Sequence, residues 1–298
     1  MLNDLFAVMA PTLVGTLIGW IWAKKSIPFP ADFVSKLVMY IGTPCLFMSV
    51  MSQVHVSVDE VGKMAGAFAL SLGIMALISV IIIRLMGLDM RAYLPPLIFP
   101  NNGNMGLPIC LFAIGQEGLA LALAPFMVMV LAQFTLGLFI VAPNDGSVWR
   151  RCRNIILHPI IISMVISVLL LTQYWTLPRW ISNTVDVMGG FAIPLMMITL
   201  GVSLARFRLT LWAKTLFFSV LRVIGGAAIG ILICKWLNIT GNEEIVITLQ
   251  MAMPMAVMNY VIALEYDRKA DEVAAMVLMS TLVGFAFLPF LIYWLKMA

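Results

Sequence analysis

Charged residues are scarce in this 298-residue chain. They make up 11% of it, whereas apolar residues make up 62%, and the mean hydropathy is +1.05. A soluble domain carries roughly 25% charged residues, which coat its water-facing surface. The scarcity excludes a soluble fold and predicts an all-α polytopic membrane protein. A membrane-spanning helix needs about 20 apolar residues, so the chain has room for about ten spans and no separate soluble domain.

Residues that commonly build catalytic or metal sites are also rare. The chain has two histidines, and it contains no Ser–His–Asp set, phosphate loop or metal motif, which argues against an enzyme. The net charge of +4 comes from basic residues at helix ends and does not indicate nucleic-acid binding. We therefore predict no catalytic residue, no metal, no cofactor and no nucleic-acid partner. The cysteines have neither redox nor metal spacing: Cys45, Cys110, Cys152 and Cys234.

Stretches without ionisable residues mark the predicted spans. The N-terminus has neither a basic region nor a small-residue cleavage site, so its first stretch is predicted to be a retained helix. Glu117 alone separates the fourth and fifth stretches, which predicts a tight turn at residues 115–118. The ten predicted spans are 5–23, 37–54, 64–83, 92–116, 118–144, 154–178, 187–205, 215–234, 245–264 and 273–295.

Basic residues divide unequally between the two ends of these spans. Thirteen lie on one side, four on the other, and Arg222 lies inside the eighth span. Short cytoplasmic loops are enriched in Lys and Arg, so the richer side is predicted to be cytoplasmic. With ten spans, both termini then lie on the periplasmic side of a bacterial inner membrane. The thirteen are Lys24, Lys25, Lys36, Arg84, Arg91, Arg150, Arg151, Arg153, Arg206, Arg208, Lys214, Arg268 and Lys269.

The two halves of the chain place their prolines alike. Pro44 matches Pro194 at an offset of 150, and Pro100 matches Pro254 at an offset of 154. All four fall in the middle of predicted spans. Since five spans is an odd number, two five-span repeats would have inverted topology. Inverted repeats are a transporter architecture that binds substrate near the midplane, where the repeats meet.

The fourth span holds the densest group of helix-breaking residues. Residues 100–108 include two prolines, two glycines and three asparagines. Proline removes a helix donor, and glycine and asparagine tolerate non-helical backbone. The span is predicted to unwind in mid-membrane, where the break must face protein or a wet cavity. The ninth span has a milder version around Pro254, where a kink with asparagines capping loose amides remains the structural alternative.

Two crossed, broken helices predict an anion site. Helix N-termini present partial positive charge and unpaired amides, and asparagines add neutral donors that suit a carboxylate. Arg222 is expected to attract the anion or to tie the moving part together. Gln133 is expected to face a cavity, and nearby methionines to line the pocket or fill the core. The predicted substrate-binding residues are Pro100, Asn101, Asn102, Gly103, Asn104, Met105, Gln133, Arg222, Pro254, Met258 and Asn259.

Acidic residues are absent from all ten predicted spans. Cation and proton carriers normally keep intramembrane carboxylates as ion sites, so such a cation site is not expected. Sodium held by backbone carbonyls at a break stays open, and so does coupling to protons.

Two motifs resemble the auxin efflux carrier family, which includes plant PIN proteins and bacterial malonate-type carriers. Residues 100–108, Pro-Asn-Asn-Gly-Asn-Met-Gly-Leu-Pro, resemble its fourth-helix motif, and residues 254–266 resemble the end of its ninth helix. The family's crossover prolines carry over to Pro100 and Pro254, and its asparagine to Asn101. In the second repeat the family also places an asparagine near the crossover, whereas here a methionine stands on each side of the proline. Asn259, one turn later, would partly substitute for that asparagine.

The resemblance implies ten helices in two inverted five-helix repeats, with broken helices 4 and 9 crossed, and a homodimer. It implies a scaffold domain from residues 1–55 and 146–208 and a transport domain from residues 56–145 and 209–298. The hypothesis is an elevator-type secondary carrier of a small organic anion. The alternatives are a sodium-coupled symporter of the bile-acid type and a non-transporting membrane sensor or assembly subunit.

Overall fold

The computed structural model describes residues 2–53, 57–141, 159–171, 177–209 and 211–297. Within these ranges every regular element is a helix, which confirms the all-α prediction. The helices are α1 (Leu2–Lys24), α2 (Ala31–Gln53), α3 (Val58–Leu85), α4 (Met90–Ile98), α5 (Asn102–Ile114), α6 (Gln116–Val141), α7 (Pro159–Leu171), α8 (Arg179–Arg206), α9 (Trp212–Trp236), α10 (Asn242–Met251), α11 (Val257–Glu265) and α12 (Ala270–Met297).

Six of these helices are long and apolar enough to cross a membrane, which confirms a multi-pass membrane protein. They are α2, α3, α6, α8, α9 and α12. The pairs α4–α5 and α10–α11 stand where the fourth and ninth spans are predicted, and each is interrupted near its central proline. The first span corresponds to α1, and the sixth is described only as α7. Arg150, Arg151, Cys152 and Arg153 lie outside the described residues.

Local chemistry explains where several helices begin and end. Ser57 and Glu60 form a reciprocal capping box at the start of α3, and Asp89 accepts a hydrogen bond from Arg91 N at 2.9 Å at the start of α4. The predicted turn after α5 is confirmed at Gly115. Its φ of +85° lies in the region that glycine adopts without steric cost.

Helices α1, α2, α7 and α8 pack against one another. The closest approach is between α1 and α8, where a Cβ on Gly19 would lie 2.0 Å from Ile198 O. A Cβ on Gly201 would lie 1.8 Å from Thr16 O. Small residues therefore bring these two backbones together, as in many membrane helix pairs.

The remaining helices form a second packed group around the interruptions. Helix α3 packs on α4, α6 and α9, while α12 packs on α9 and α11. The groups meet chiefly where α1 and α8 contact α5, and where α2 contacts α6. The interrupted segments consequently lie inside protein rather than against lipid.

Helix α8 begins two turns before the predicted seventh span, 187–205. That span was bounded at Asp186 because the residue is charged, but the helix continues through it to Arg179. Asp186 is half-buried and accepts hydrogen bonds from Ser49 and Gln53 of α2. Asp186 thus lies beside Gln53, the last residue of α2, and the expectation that acidic residues are absent from the spans stays a prediction.

Candidate functional site

The two interruptions cross at one antiparallel backbone pairing, an isolated bridge between Pro100 and Met255. Asn101 N donates to Pro254 O at 2.7 Å, and Ala256 N donates to Phe99 O at 3.1 Å. These bonds replace helical hydrogen bonds that the breaks remove. The crossing is therefore held by the main chain of both segments.

Proline chemistry sets the position of the first interruption. Phe99, which precedes Pro100, is extended with φ −93° and ψ 105°, as expected because a following proline disfavours helical backbone. Pro95 and Pro96 remove two amide donors inside α4. Asn101 and Asn102 follow, and both side chains are buried. The non-helical backbone thus faces protein, as the membrane requires.

Arg222 lies between the C-terminal ends of α4 and α10, and its side chain is 0% exposed. Nη2 donates to Met251 O at 2.8 Å, and Nη1 donates to Leu97 O at 3.4 Å. These two carbonyls are 154 positions apart, the offset that relates Pro100 to Pro254. C-terminal carbonyls carry partial negative charge, so the guanidinium stabilises both helix ends at once.

Two side chains from other helices hold the end of α4. Asn259 Nδ2 donates to Phe99 O at 3.1 Å, and Gln133 Nε2 donates to Asn259 Oδ1 at 3.1 Å. Both side chains are buried. In the second break, Met255 N donates to Ser280 Oγ at 3.1 Å. The backbone groups that the breaks free from helical bonds at these points therefore have partners.

The start of α5 differs, because several buried amide groups have no partner within the described part of the chain. They are Asn101 Nδ2, both polar side-chain atoms of Asn102, and Gln250 Oε1. Gln250 lies against this helix, since a Cβ on Gly106 would be 2.5 Å from its Oε1. An unpaired buried polar group costs about 1–3 kcal/mol, so a cluster of them indicates a place for a ligand or ordered water.

The first turn of α5 adds backbone donors to this cluster. Met105 N and Gly106 N both donate to Asn101 O, at 3.3 and 3.1 Å, so the helix starts with a wide π-turn. The amides of a helix's first turn have no acceptor within the helix, and π-turns recur at functional sites. The amides of Asn102, Gly103 and Asn104 therefore lie at the open end of α5.

Most of the predicted site residues gather at this crossing. Asn101, Asn102, Gly103, Asn104 and Met105 form the start of α5, and Met105 is fully buried. Met258 is half-buried in the first turn of α11. Arg222 is predicted either to attract the anion or to tie the moving part together. Its hydrogen bonds to two helix ends favour the second role. The remaining predicted residues pair with the breaks as described above: Pro100, Gln133, Arg222, Pro254 and Asn259.

Sequence reasoning missed Gln250 and Ser280. The signal for Gln250 was present, because it is an uncharged amide inside a predicted span, as Gln133 is. Ser280 gave no such signal, since serine is common in membrane helices and usually bonds its own backbone.

Comparison with known proteins agrees with the motifs. Residues 146–293 match the family model described as membrane transport protein. An uncharacterized transporter of Methanothermobacter thermautotrophicus is 29% identical over 191 residues, which cover 63% of each chain. An uncharacterized transporter of Methanocaldococcus jannaschii is 26% identical over 188 residues, covering 61% of this chain and 60% of that one.

The matched part of the chain thus spans about three fifths of the length of these curated relatives. The segment matched by the family model contains Arg222 and the second interruption, and the motif at residues 100–108 precedes it. Together with that motif, these matches confirm the predicted family. Residues 146–293 thus match the membrane transport protein family, the family of the auxin efflux carriers that the motifs of this chain resemble.

Proposed function

We propose that this protein is a secondary active carrier of a small organic anion, a carboxylate, and that it works by elevator-type alternating access. One observation carries the proposal: the helix ends at the crossing are satisfied unequally. The C-terminal carbonyls of α4 and α10 are bound by Arg222 and Asn259, whereas Asn101 and Asn102 keep unpaired amides at the start of α5. Amides at a helix N-terminus bind anions.

In this proposal the carboxylate accepts hydrogen bonds from the first-turn amides of α5 and from the side chains of Asn101 and Asn102. Neutral donors suit a carrier, because an empty site then leaves no unpaired buried cation. Asn104, Gly103 and Met105 would shape the site from the same helix. Met258 and Pro254 would shape it from the other break, while Arg222, Gln133 and Asn259 hold its backbone.

The proposed architecture has ten spans in two inverted five-helix repeats, with both termini on the outer face of a bacterial inner membrane. The common offset of 154 for the two prolines and for the two carbonyls bound by Arg222 supports the repeats. The packing of α1, α2, α7 and α8 as one group supports a scaffold from residues 1–55 and 146–208. The transport domain would comprise residues 56–145 and 209–298, in a homodimer.

The test is uptake of a carboxylate panel into proteoliposomes and its binding to purified protein, with and without sodium. Asn101→Ala and Asn102→Ala should each weaken binding at least about tenfold, equivalent to about 1.4 kcal/mol. Asn183→Ala is the control, because Asn183 is an exposed asparagine of α8. Binding and uptake that both variants leave unchanged would show that the site is elsewhere.

The same experiment separates the alternatives. Sodium-dependent thermal stabilisation and uptake would indicate a sodium-coupled symporter. Carboxylate binding without flux across the proteoliposome membrane would indicate a sensor or an assembly subunit. Dependence of uptake on an imposed pH gradient would indicate coupling to protons.

A further inference from the structure

A separate cavity of about 550 Å³ lies between α2, α5, α6 and α8. Its volume falls within the range of small-molecule pockets, roughly 300–1,000 Å³. The residues proposed for the anion, all of them described, are not among those that line it. Apolar side chains supply about half of its wall, with Leu46, Val50, Leu111, Phe112, Ile193 and Met197 contributing.

One acidic side chain, Asp186, lines this cavity about two turns inside α8. Its Oδ1 accepts hydrogen bonds from Ser49 Oγ at 2.5 Å and from Gln53 Nε2 at 2.8 Å. Both donors belong to α2, so the carboxylate is held between two helices. Among the described residues no Lys or Arg forms an ion pair with it. Oδ2 is therefore the oxygen available to a ligand.

The other polar side chains on the wall, Ser49, Gln53 and Gln116, are neutral. The cavity thus combines one carboxylate, a few amide and hydroxyl groups, and an apolar surface of about equal extent. An organic anion would meet the charge of Asp186. A bare metal ion would need several converging oxygens, whereas Asp186 is the one carboxylate among the described residues that line this open volume.

We propose that this cavity is a second binding site, which takes an organic ammonium ion with a small apolar body. The ammonium group would donate to Asp186 Oδ2, and the apolar body would lie against Leu111, Phe112 and Met197. A charge-assisted hydrogen bond fixes the head group, and burial of the hydrocarbon adds affinity.

The experiment compares three probes of equal chain length on purified protein: hexylammonium, hexanol and hexanoate. Hexylammonium should bind most tightly, measured by calorimetry and by its effect on Tm. Asp186→Asn should weaken hexylammonium binding at least tenfold and leave hexanol binding unchanged. Asp59→Asn is the matched control, because Asp59 is an exposed carboxylate paired with Lys63.

A second variant tests the cavity without changing charge. Gly190 lines the cavity, and a Cβ at this position would meet no atom of the described residues within 4 Å. Gly190→Leu should therefore fold normally, fill part of the volume and weaken hexylammonium binding.

Two results would overturn the proposal in favour of unspecific binding to apolar surface. One is equal binding of all three probes, and the other is hexylammonium binding that Asp186→Asn and Gly190→Leu leave unchanged. Stabilisation by sodium chloride that depends on Asp186, without any by hexylammonium, would overturn it in favour of a metal-ion site. Each readout is binding rather than flux, so the result does not depend on the proposed carboxylate transport.

Discussion

The break between α4 and α5 and the break between α10 and α11 cross at one backbone pairing, yet their buried polar groups differ. The first contains Asn101 and Asn102, whose amides have unpaired atoms. The second contains Met253 and Met255, and its amide at Met255 is bound by Ser280. Among the described residues, the first break thus presents unpaired side-chain amides, while the second presents apolar side chains and bonded amides at Met255 and Ala256.

This difference distinguishes groups that support the crossing from groups that are available to bind a ligand. The side chains that support the crossing come from outside the non-helical segments: Arg222 from α9, Gln133 from α6, Asn259 from α11 and Ser280 from α12. Removing a supporting group should lower the free energy of unfolding, because a buried backbone group loses its partner. Removing an unpaired amide of the first break should change ligand binding instead.

Arg222→Met should have the largest effect on stability. It leaves Leu97 O and Met251 O without the guanidinium, at the ends of two helices. Each unpaired buried group costs about 1–3 kcal/mol, so a loss of about 3 kcal/mol is expected in an unfolding titration. Arg84→Met is the control, since Arg84 is exposed in the last turn of α3. Equal losses in both variants would mean that Arg222 does not tie the crossing.

Asn259→Ala should have the next largest effect, a loss of about 2 kcal/mol. The substitution removes one donor to Phe99 O and leaves Gln133 without its acceptor. Combining it with Gln133→Ala should cost less than the two single losses added together, because both remove the same bond. Asn183→Ala should stay within about 0.5 kcal/mol of the native protein, as exposed substitutions do.

The first break could be located from sequence because its cause is local. Proline, glycine and asparagine act on their own backbone, so their density at residues 100–108 predicts unwinding without knowledge of any neighbour. Arg222 also stood out, because a charge inside an apolar span is rare. Its partners did not stand out. They are main-chain carbonyls 125 and 29 positions away, and a carbonyl carries no residue-type signal.

At Asp186, by contrast, the sequence predicted the wrong start of a helix. Bounding spans at charged residues placed the start of this span at residue 187, whereas helix α8 begins at Arg179. The hydrogen bonds from Ser49 and Gln53 that accommodate this carboxylate join positions 137 and 133 apart. Such long-range pairing appears only once the helices are packed.

Ser280→Ala should cost less than the changes at Arg222 and Asn259, about 1 kcal/mol in the same unfolding titration. Ser280 Oγ accepts from Met255 N, so its removal leaves one buried amide of the second break unpaired. Ser79→Ala is a close control: Ser79 is also fully buried, but its hydroxyl only donates to Met75 O within α3. A loss confined to Ser280→Ala would show that the second break depends on this acceptor. Equal losses would mean that it does not.

Asn102→Ala should change stability least, although Asn102 is 0% exposed. Neither polar atom of its side chain has a partner among the described residues, so the substitution breaks no hydrogen bond that the structure shows. It also removes two unpaired buried groups, and this gain offsets the packing lost with the side chain. The expected change is within about 0.5 kcal/mol, while carboxylate binding falls at least about tenfold. A stability loss as large as that of Asn259→Ala would instead place Asn102 among the supporting residues. Both breaks would then be purely structural, and they would differ in the neighbours that bond their polar groups.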